Sequence, residues 1–337
     1  MNAMTGPAPA TVNRRLSAPL YAATVRQAVQ LDRDGVLNAL SIRVRYTVSN
    51  GATGPAAPLW GCLARILRRV EVLVNGQDTV VNINGAHLAS RQLYEFGMRA
   101  YGMEATVVLT NSAVTVYDVV LYLPFHLPPN AEREDDTALD LRGVQQATLA
   151  ITWGDQTDLF GTPNTATISA VTCEVTGHYL VNPSPLLKNG KPRLYWIRAL
   201  DIQDVDNSST NAALSVLLDR GSDLFWRTLH IATMRNNVAV QNILTGDIRW
   251  QAGSFMYDSR SPVEVLANTL RETKAPFSEL AVADQVYRLD RTLFGSITTV
   301  INGGALAGDL YLLFGTTYTS GVERISISRE FIRPLRV

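Results

Sequence analysis

Residues Arg68–Phe96 read RRVEVLVNGQDTVVNINGAHLASRQLYEF, and the period of the apolar residues changes once within them. Val70, Val72 and Val74 fall at every second position, the spacing of a strand with one face in a core. Asn75-Gly76 follows; this dipeptide accepts the positive φ angles of a tight two-residue hairpin, and Gln77–Ile83 returns as the partner strand. From Ala86 the spacing becomes helical, with Ala89, Leu93 and Phe96 on one side and Gly97 placed to close the C-terminus.

The strand period extends outward from this stretch. Upstream, Leu40, Ile42, Val44, Tyr46 and Val48 alternate with Ser41, Arg43, Arg45 and Thr47. Downstream, Val114–Leu123, Thr148–Trp153 and Thr167–Tyr179 read as strands separated by turn residues. Several half-buried strands with loops between them predict a sandwich or barrel. The pattern breaks at Asn182-Pro183-Ser184-Pro185 and Lys188-Asn189-Gly190-Lys191-Pro192, the best linker in the chain.

Beyond it the order of elements repeats. Arg193–Ile202 and Leu224–Met234 read as strands. Ser261-Pro262-Val263-Glu264 announces a helix: Ser261 caps, Pro262 takes the first helical position and Glu264 completes a capping box. Val263, Leu266, Ala267 and Leu270 are its expected buried stripe, and Pro276 follows its end. Strands return at Ser296–Ile301, Asp309–Tyr318 and Val322–Phe331. The expected organisation is a flexible N-terminal arm (1–18), a first sandwich (19–182), a linker (183–192) and a second sandwich (193–337). Two unrelated all-β domains are the alternative.

A chain of 337 residues with 46% hydrophobic and 18% charged residues suits about two domains with sizeable cores. Thirty basic and thirty acidic residues cancel, which suits a protein that associates and argues against a sequence-specific nucleic-acid binder. Cys62 and Cys173 exclude a disulfide framework and read as free thiols. No apolar run reaches the length of a membrane helix, and Met1–Leu16 lacks the apolar core of a secretion signal. Synthesis in the cytoplasm, in soluble form until something assembles the chain, is therefore expected.

On the strand–turn–strand segment Arg68–Phe96, the helix after that strand pair in each half and the duplication across a Pro-rich joint, the chain resembles the double jelly-roll major capsid proteins of tailless icosahedral viruses. The resemblance implies an all-β chain of two consecutive jelly rolls, each with one short helix. It also implies a homotrimer forming a pseudo-hexagonal tile of a virion, with penton or minor capsid proteins and internal membrane lipid as further partners. Terminal arms tie tiles together in such proteins, so Arg14, Arg15, Arg333 and Arg336 become candidate assembly contacts. A solvated role is the plainer alternative for each.

Catalytic constellations are hard to find. His87, His126, His178 and His230 share no metal-site spacing, and neither HExxH, GxSxG nor a P-loop occurs. Gly303–Gly308 is Gly-rich but joins two strands, which reads as a turn. Glu132, Glu134, Asp135 and Asp136 are dense enough in oxygen ligands to suggest Ca²⁺, with a solvated loop as the alternative. Trp153 and Trp196 fall in strands and are expected in a core; Asn207-Ser208-Ser209 matches a glycosylation acceptor with no secretion context. No cofactor and no enzymatic activity are expected. A glycan-binding or adhesion module would instead expose tryptophans along one edge. A carbohydrate-active hydrolase would face two carboxylates across a groove, perhaps at the joint.

Overall fold

The computed structural model describes residues 10–51, 58–97, 99–103, 107, 110–127, 134–161, 165–183, 196–219, 221, 223–272, 286–291, 300–306 and 308–335. The first half comprises β1 (Ala10–Leu16), β2 (Arg26–Gln30), β3 (Val36–Ser49), β4 (Leu67–Val74), β5 (Asp78–Ile83), helix α1 (Gly85–Phe96), β6 (Val114–Pro124), a short β7 (Leu139–Asp140), β8 (Ala147–Trp153), helix α2 (Gln156–Phe160) and β9 (Thr167–Val181). The second comprises β10 (Trp196–Asn207), β11 (Asn211–Leu218), β12 (Phe225–Arg235), a short β13 (Val238–Ala239), β14 (Leu244–Ala252), β15 (Phe255–Arg260), helix α3 (Pro262–Glu272), β16 (Tyr287–Asp290), a short β17 (Ile301–Asn302), β18 (Leu310–Thr316) and β19 (Glu323–Pro334).

Among the described residues, and setting aside the two-residue strands, each half has eight strands in two sheets. The first half orders them β1-β9-β3-β6 and β2-β8-β4-β5; the second orders them β10-β19-β12-β16 and β11-β18-β14-β15. By position within each half, both read first-eighth-third-sixth and second-seventh-fourth-fifth. This is the jelly roll, whose paired Greek keys close a two-sheet sandwich. The helix α1 or α3 falls between the fifth and sixth strands both times.

The repeat reaches individual residues. Pairing of β3 with β9 is bulged between Leu37 and Ala39, and pairing of β12 with β19 between Trp226 and Thr228. A second bulge follows Val72 in the β4–β5 hairpin and Trp250 in the β14–β15 hairpin. Short β7 pairs with the first two residues of β3, and short β17 with the first two of β12. Conserved bulge positions mark equivalent ladders, because each bulge sets the register of everything after it.

The two sandwiches also share a sheet. A parallel bridge between Leu200 of β10 and Val81 of β5 joins β2-β8-β4-β5 edge to edge with β10-β19-β12. Each sandwich keeps its own apolar core: Leu40, Ile42, Val72, Trp153 and Tyr179 belong to the first, and Trp226, Ile231, Trp250, Leu312 and Ile327 to the second. A third cluster, including Trp60, Leu93, Tyr94, Ala232 and Met234, lies where the halves meet.

The expected hairpin forms, with Asn75 at φ 51° and Gly76 at φ 71°. Several expectations need correction. Residues Ala10–Leu16 of the expected flexible arm form β1, in register with β9 from Ala10–Val181 to Leu16–Val175. The polar composition of this strand reflects its position at a sheet edge. The first half has a second, five-residue helix, α2, started by an Asp155 capping box. On α3 the capping box forms as read, but Val263 is 77% exposed and Ala267 is exposed; the buried positions are Val265 and Thr269. Strands β2, β11, β14, β15 and β16 lacked a clean alternation and were not anticipated. Most of the expected linker, and most of Ser296–Ile301, lie outside the described residues.

Candidate functional site

The junction between the sandwiches holds five buried charged side chains, two of them, Arg91 and Glu95, on α1. Asn84 caps the helix by accepting from the His87 N–H at 2.8 Å, and Gly97 closes it at φ 74°. Gly85 starts it where a Cβ would lie 1.9 Å from the Ala64 carbonyl oxygen, so only glycine fits. Leu88 and Ala89 turn into the first core, while Arg91 and Tyr94 turn to the second sandwich.

There Arg91 meets β12 and β19. Its Nε donates to Ser328 Oγ at 2.7 Å, and its Nη1 donates to Glu95 Oε1, Glu330 Oε2 and Thr228 Oγ1 at 2.9, 2.8 and 3.1 Å. From β10, Arg198 donates through Nε to Glu330 Oε1 at 2.6 Å and through Nη2 to Glu95. Arg227 donates to the same Glu330 oxygen, and Thr228 Oγ1 donates to Oε2 at 2.6 Å. Every one of these charged side chains is at most 3% exposed. Burial alone would raise the Glu330 carboxyl; the guanidinium groups of Arg198, Arg227 and Arg91 overcome this and hold it well below the usual carboxylate range.

Two buried histidines flank the cluster. His87 Nε2 lies 2.8 Å from Ser326 Oγ, with the Trp60 ring edge-on at 5.0 Å. His230 packs edge-on to Tyr94 at 6.0 Å, and neither of its ring nitrogens has a hydrogen-bond partner among the described residues. Burial, reinforced by Arg91, pushes His87 down to about 3 and His230 well below its ordinary value. Both are therefore neutral over the physiological range.

Glu95 and Glu330 are two close carboxylates, yet they face arginines rather than a groove. They are positioned to lock two sandwiches together rather than to exchange protons with a substrate. Sequence reasoning missed Arg91, Glu95, Arg198, Arg227 and Glu330. Each sits on the polar side of an amphipathic element, which in isolation reads as a solvated face.

The equivalent face of the first sandwich is open. On β1-β9-β3-β6, Arg15 reaches Glu174 at 2.8 Å, and Arg43 reaches Asp118 at 2.8 Å through Nε and Glu174 at 3.5 Å. All of these pairs are exposed.

The candidate assembly arginines separate. Arg14 pairs with Asp34 and lies over the Tyr179 ring at 5.3 Å, and Arg15 is exposed. Arg333 is buried, with Nη1 donating to Asp78 Oδ2 at 2.9 Å, which removes it from the expected assembly contacts. Arg336 lies outside the described residues, as does Glu132. Glu134 and Asp135 start a 3-10 turn, Glu134–Thr137, in which Asp136 is buried. Among the described residues no group of three or more His, Cys, Asp or Glu is arranged to hold a metal ion. Trp60, Trp153, Trp226 and Trp250 are buried, and Trp196 is half-buried against Phe225 at 4.8 Å between ring centres. Asn207 of the acceptor-like triplet is buried and donates to Glu323 at 2.8 Å. Both cysteines are free thiols.

No family model and no curated protein matches the sequence. Solved structures do match the fold. The MCP of STIV, the Sulfolobus turreted icosahedral virus, superposes with a TM-score of 0.72 over 96% of this chain and 97% of its own, at 12% identity. The major capsid protein P2 of bacteriophage PM2 gives 0.62 over 97% and 98%, at 11% identity. The PBCV-1 virus capsid protein gives 0.61 over 99% and 97%, at 11% identity. The chain has the double jelly-roll fold of these proteins along nearly its whole length.

Proposed function

We propose that this chain is the major capsid protein of an icosahedral virion, acting through its shape rather than through chemistry. The observation that carries the proposal is the duplication of strand order: two jelly rolls of one topology, side by side in one chain and sharing a sheet. Solved capsid proteins match that arrangement end to end. A duplicated unit lets three chains present six similar faces, so a homotrimer makes a pseudo-hexagonal tile for a closed lattice. The burial of four tryptophans and the neutralised carboxylates at the junction supply neither an adhesion edge nor a hydrolase groove.

Residues 183–192 serve in this reading as the covalent joint between the two units. Further contacts of the tile, with penton or minor capsid proteins and with internal membrane lipid, fall to Arg14, Arg15 and Arg336 at the chain ends. The test is light scattering on the purified protein with electron microscopy of the same sample. A species of three times 36.9 kDa that images as pseudo-hexagonal tiles or shells is expected. A monomer at every concentration would overturn the proposal.

A further inference from the structure

Four of the five buried charges at the junction balance one another. Arg91 reaches Glu95 at 2.9 Å and Glu330 at 2.8 Å, while Arg198 reaches Glu330 at 2.6 Å and Glu95 through Nη2. Two cations and two anions thus form a closed ring in which each group touches both opposite charges. Arg227 is the fifth, 3% exposed, and its positive charge has no equal within the ring. Three arginines against two glutamates leave a buried charge of +1.

A bulge aims this side chain. Pairing of β12 with β19 shifts between Trp226 and Thr228, so Arg227 is the extra residue of the ladder, and both Arg227 and Thr228 reach Glu330. The bulge itself does not call for a cation: the extra residue of the equivalent bulge, between Leu37 and Ala39, is Asn38. Glu330 has no further capacity. Its Oε1 accepts from Arg198 Nε and Arg227 Nη1, and its Oε2 from Arg91 Nη1 and Thr228 Oγ1; these fill the roughly four lone-pair sites of a carboxylate. Asp290, across from Thr228 on β16, pairs with Arg288, and the flanking His87 and His230 are neutral. The second edge of the Arg227 guanidinium, Nε with Nη2, has no partner among the described residues.

We propose that this edge of Arg227 binds one small oxyanion, a phosphate or a carboxylate, which supplies the counter-charge that the ring does not. Nε and Nη2 form the side-on fork that grips an oxyanion through two parallel hydrogen bonds. A buried ion calls for such a partner, because desolvation without one is strongly unfavourable. The route in is short. Phe225 and Trp196, both half-buried and stacked at 4.8 Å, bring the margin of the junction within two residues of Arg227. A group this enclosed admits a free ion but not a headgroup held in a bilayer. The site lies within one chain, so it does not depend on the self-assembly reading.

The test titrates the full chain, dialysed free of phosphate, by calorimetry with sodium phosphate and separately with sodium acetate. Sodium chloride at matched ionic strength is the control. One phosphate or one acetate per chain is expected, with a saturable rise in the thermal unfolding midpoint above that in chloride. No response to either anion would overturn the proposal. Arg227→Met leaves the ring of four balanced and is expected to bind at least tenfold more weakly; undiminished binding would place the anion elsewhere and overturn the site. Arg43→Met, on the open sheet, is expected to bind as the unaltered chain does, and an equal loss there would reduce the effect to surface attraction. Should Arg227→Met not fold, Arg227→Lys keeps the charge without the fork and carries the same tenfold expectation.

Discussion

The sheets β1-β9-β3-β6 and β10-β19-β12-β16 share one strand order and one bulge, yet water decides what their charges do. On the first, Arg43 bridges Asp118 and Glu174 in the open, where ion pairs are screened by solvent and salt and contribute little. On the second, α1 has displaced the water. Glu330 now compensates three arginines that cannot be rehydrated without opening the junction. Replacing such a pair wholesale with apolar groups need not destabilise a protein, but removing one partner does. The same ladder thus holds a tolerant surface in one half and a demanding interior in the other.

The largest test removes one carboxylate from each sheet. Glu330→Gln leaves buried arginines short of a counter-charge and is expected to cost about 3–5 kcal/mol. Glu174→Gln, on the open sheet, is expected to cost about 0–1 kcal/mol. Urea unfolding midpoints measure both, and equal shifts would break the comparison.

A smaller effect follows from the histidines. His87 and His230 stay neutral at the junction, whereas the unfolded chain takes up protons near the ordinary value of about 6.5. Folded values below unfolded ones mean that stability is lost as pH falls. The loss begins near pH 6.5 and runs toward the folded value of about 3 for His87, at about 1.4 kcal/mol per pH unit for each histidine. Glu330 adds to the loss from the ordinary carboxylate value of about 4.3 downward, because the unfolded chain takes up that proton first. On the open sheet, burial lowers His178 as well, but its ring is less enclosed and keeps Ser41 and Asn13 as partners. His230→Asn should therefore flatten the slope of stability between pH 6 and 4 more than His178→Asn does. Denaturant melts at several pH values decide it.

The same contrast explains which parts of the fold were legible from sequence. Residues 40–48 alternate cleanly because β3 has one face in the core and the other in water or in solvated ion pairs. The Asn75-Gly76 hairpin, both main helices and the repeat of element order were legible for the same reason, since each depends on local chemistry. In contrast, β12 is buried on both faces, and its Arg227, Thr228 and His230 look like a wet face when read alone. The charge cluster brings together residues 91, 95, 198, 227 and 330, a set that only the packing of one sandwich on the other defines. On β15 the opposite holds: little of the strand is buried, so no core face imposes a period on Phe255–Arg260. The stripe on α3 was misjudged because Val263 and Ala267 are apolar yet open.

The smallest effect sharpens the comparison most, because it concerns equivalent atoms. Asn84 caps α1 and Ser261 caps α3, the latter accepting from the Glu264 N–H at 3.3 Å while Glu264 accepts from the Ser261 N–H at 2.9 Å. Loss of either cap to alanine removes about 1 kcal/mol from its helix. On α1 both faces are packed, so the first turn cannot fray without opening the junction, and Asn84→Ala should lower global stability by that amount. On α3 the outer face is free in a single chain, so Ser261→Ala should appear mainly as faster exchange of the Val263 and Glu264 amides. Equal exchange of the first-turn amides of the two helices after loss of their caps would break the comparison. The packed outer face of α1 would then hold its first turn no better than the open face of α3 holds its own.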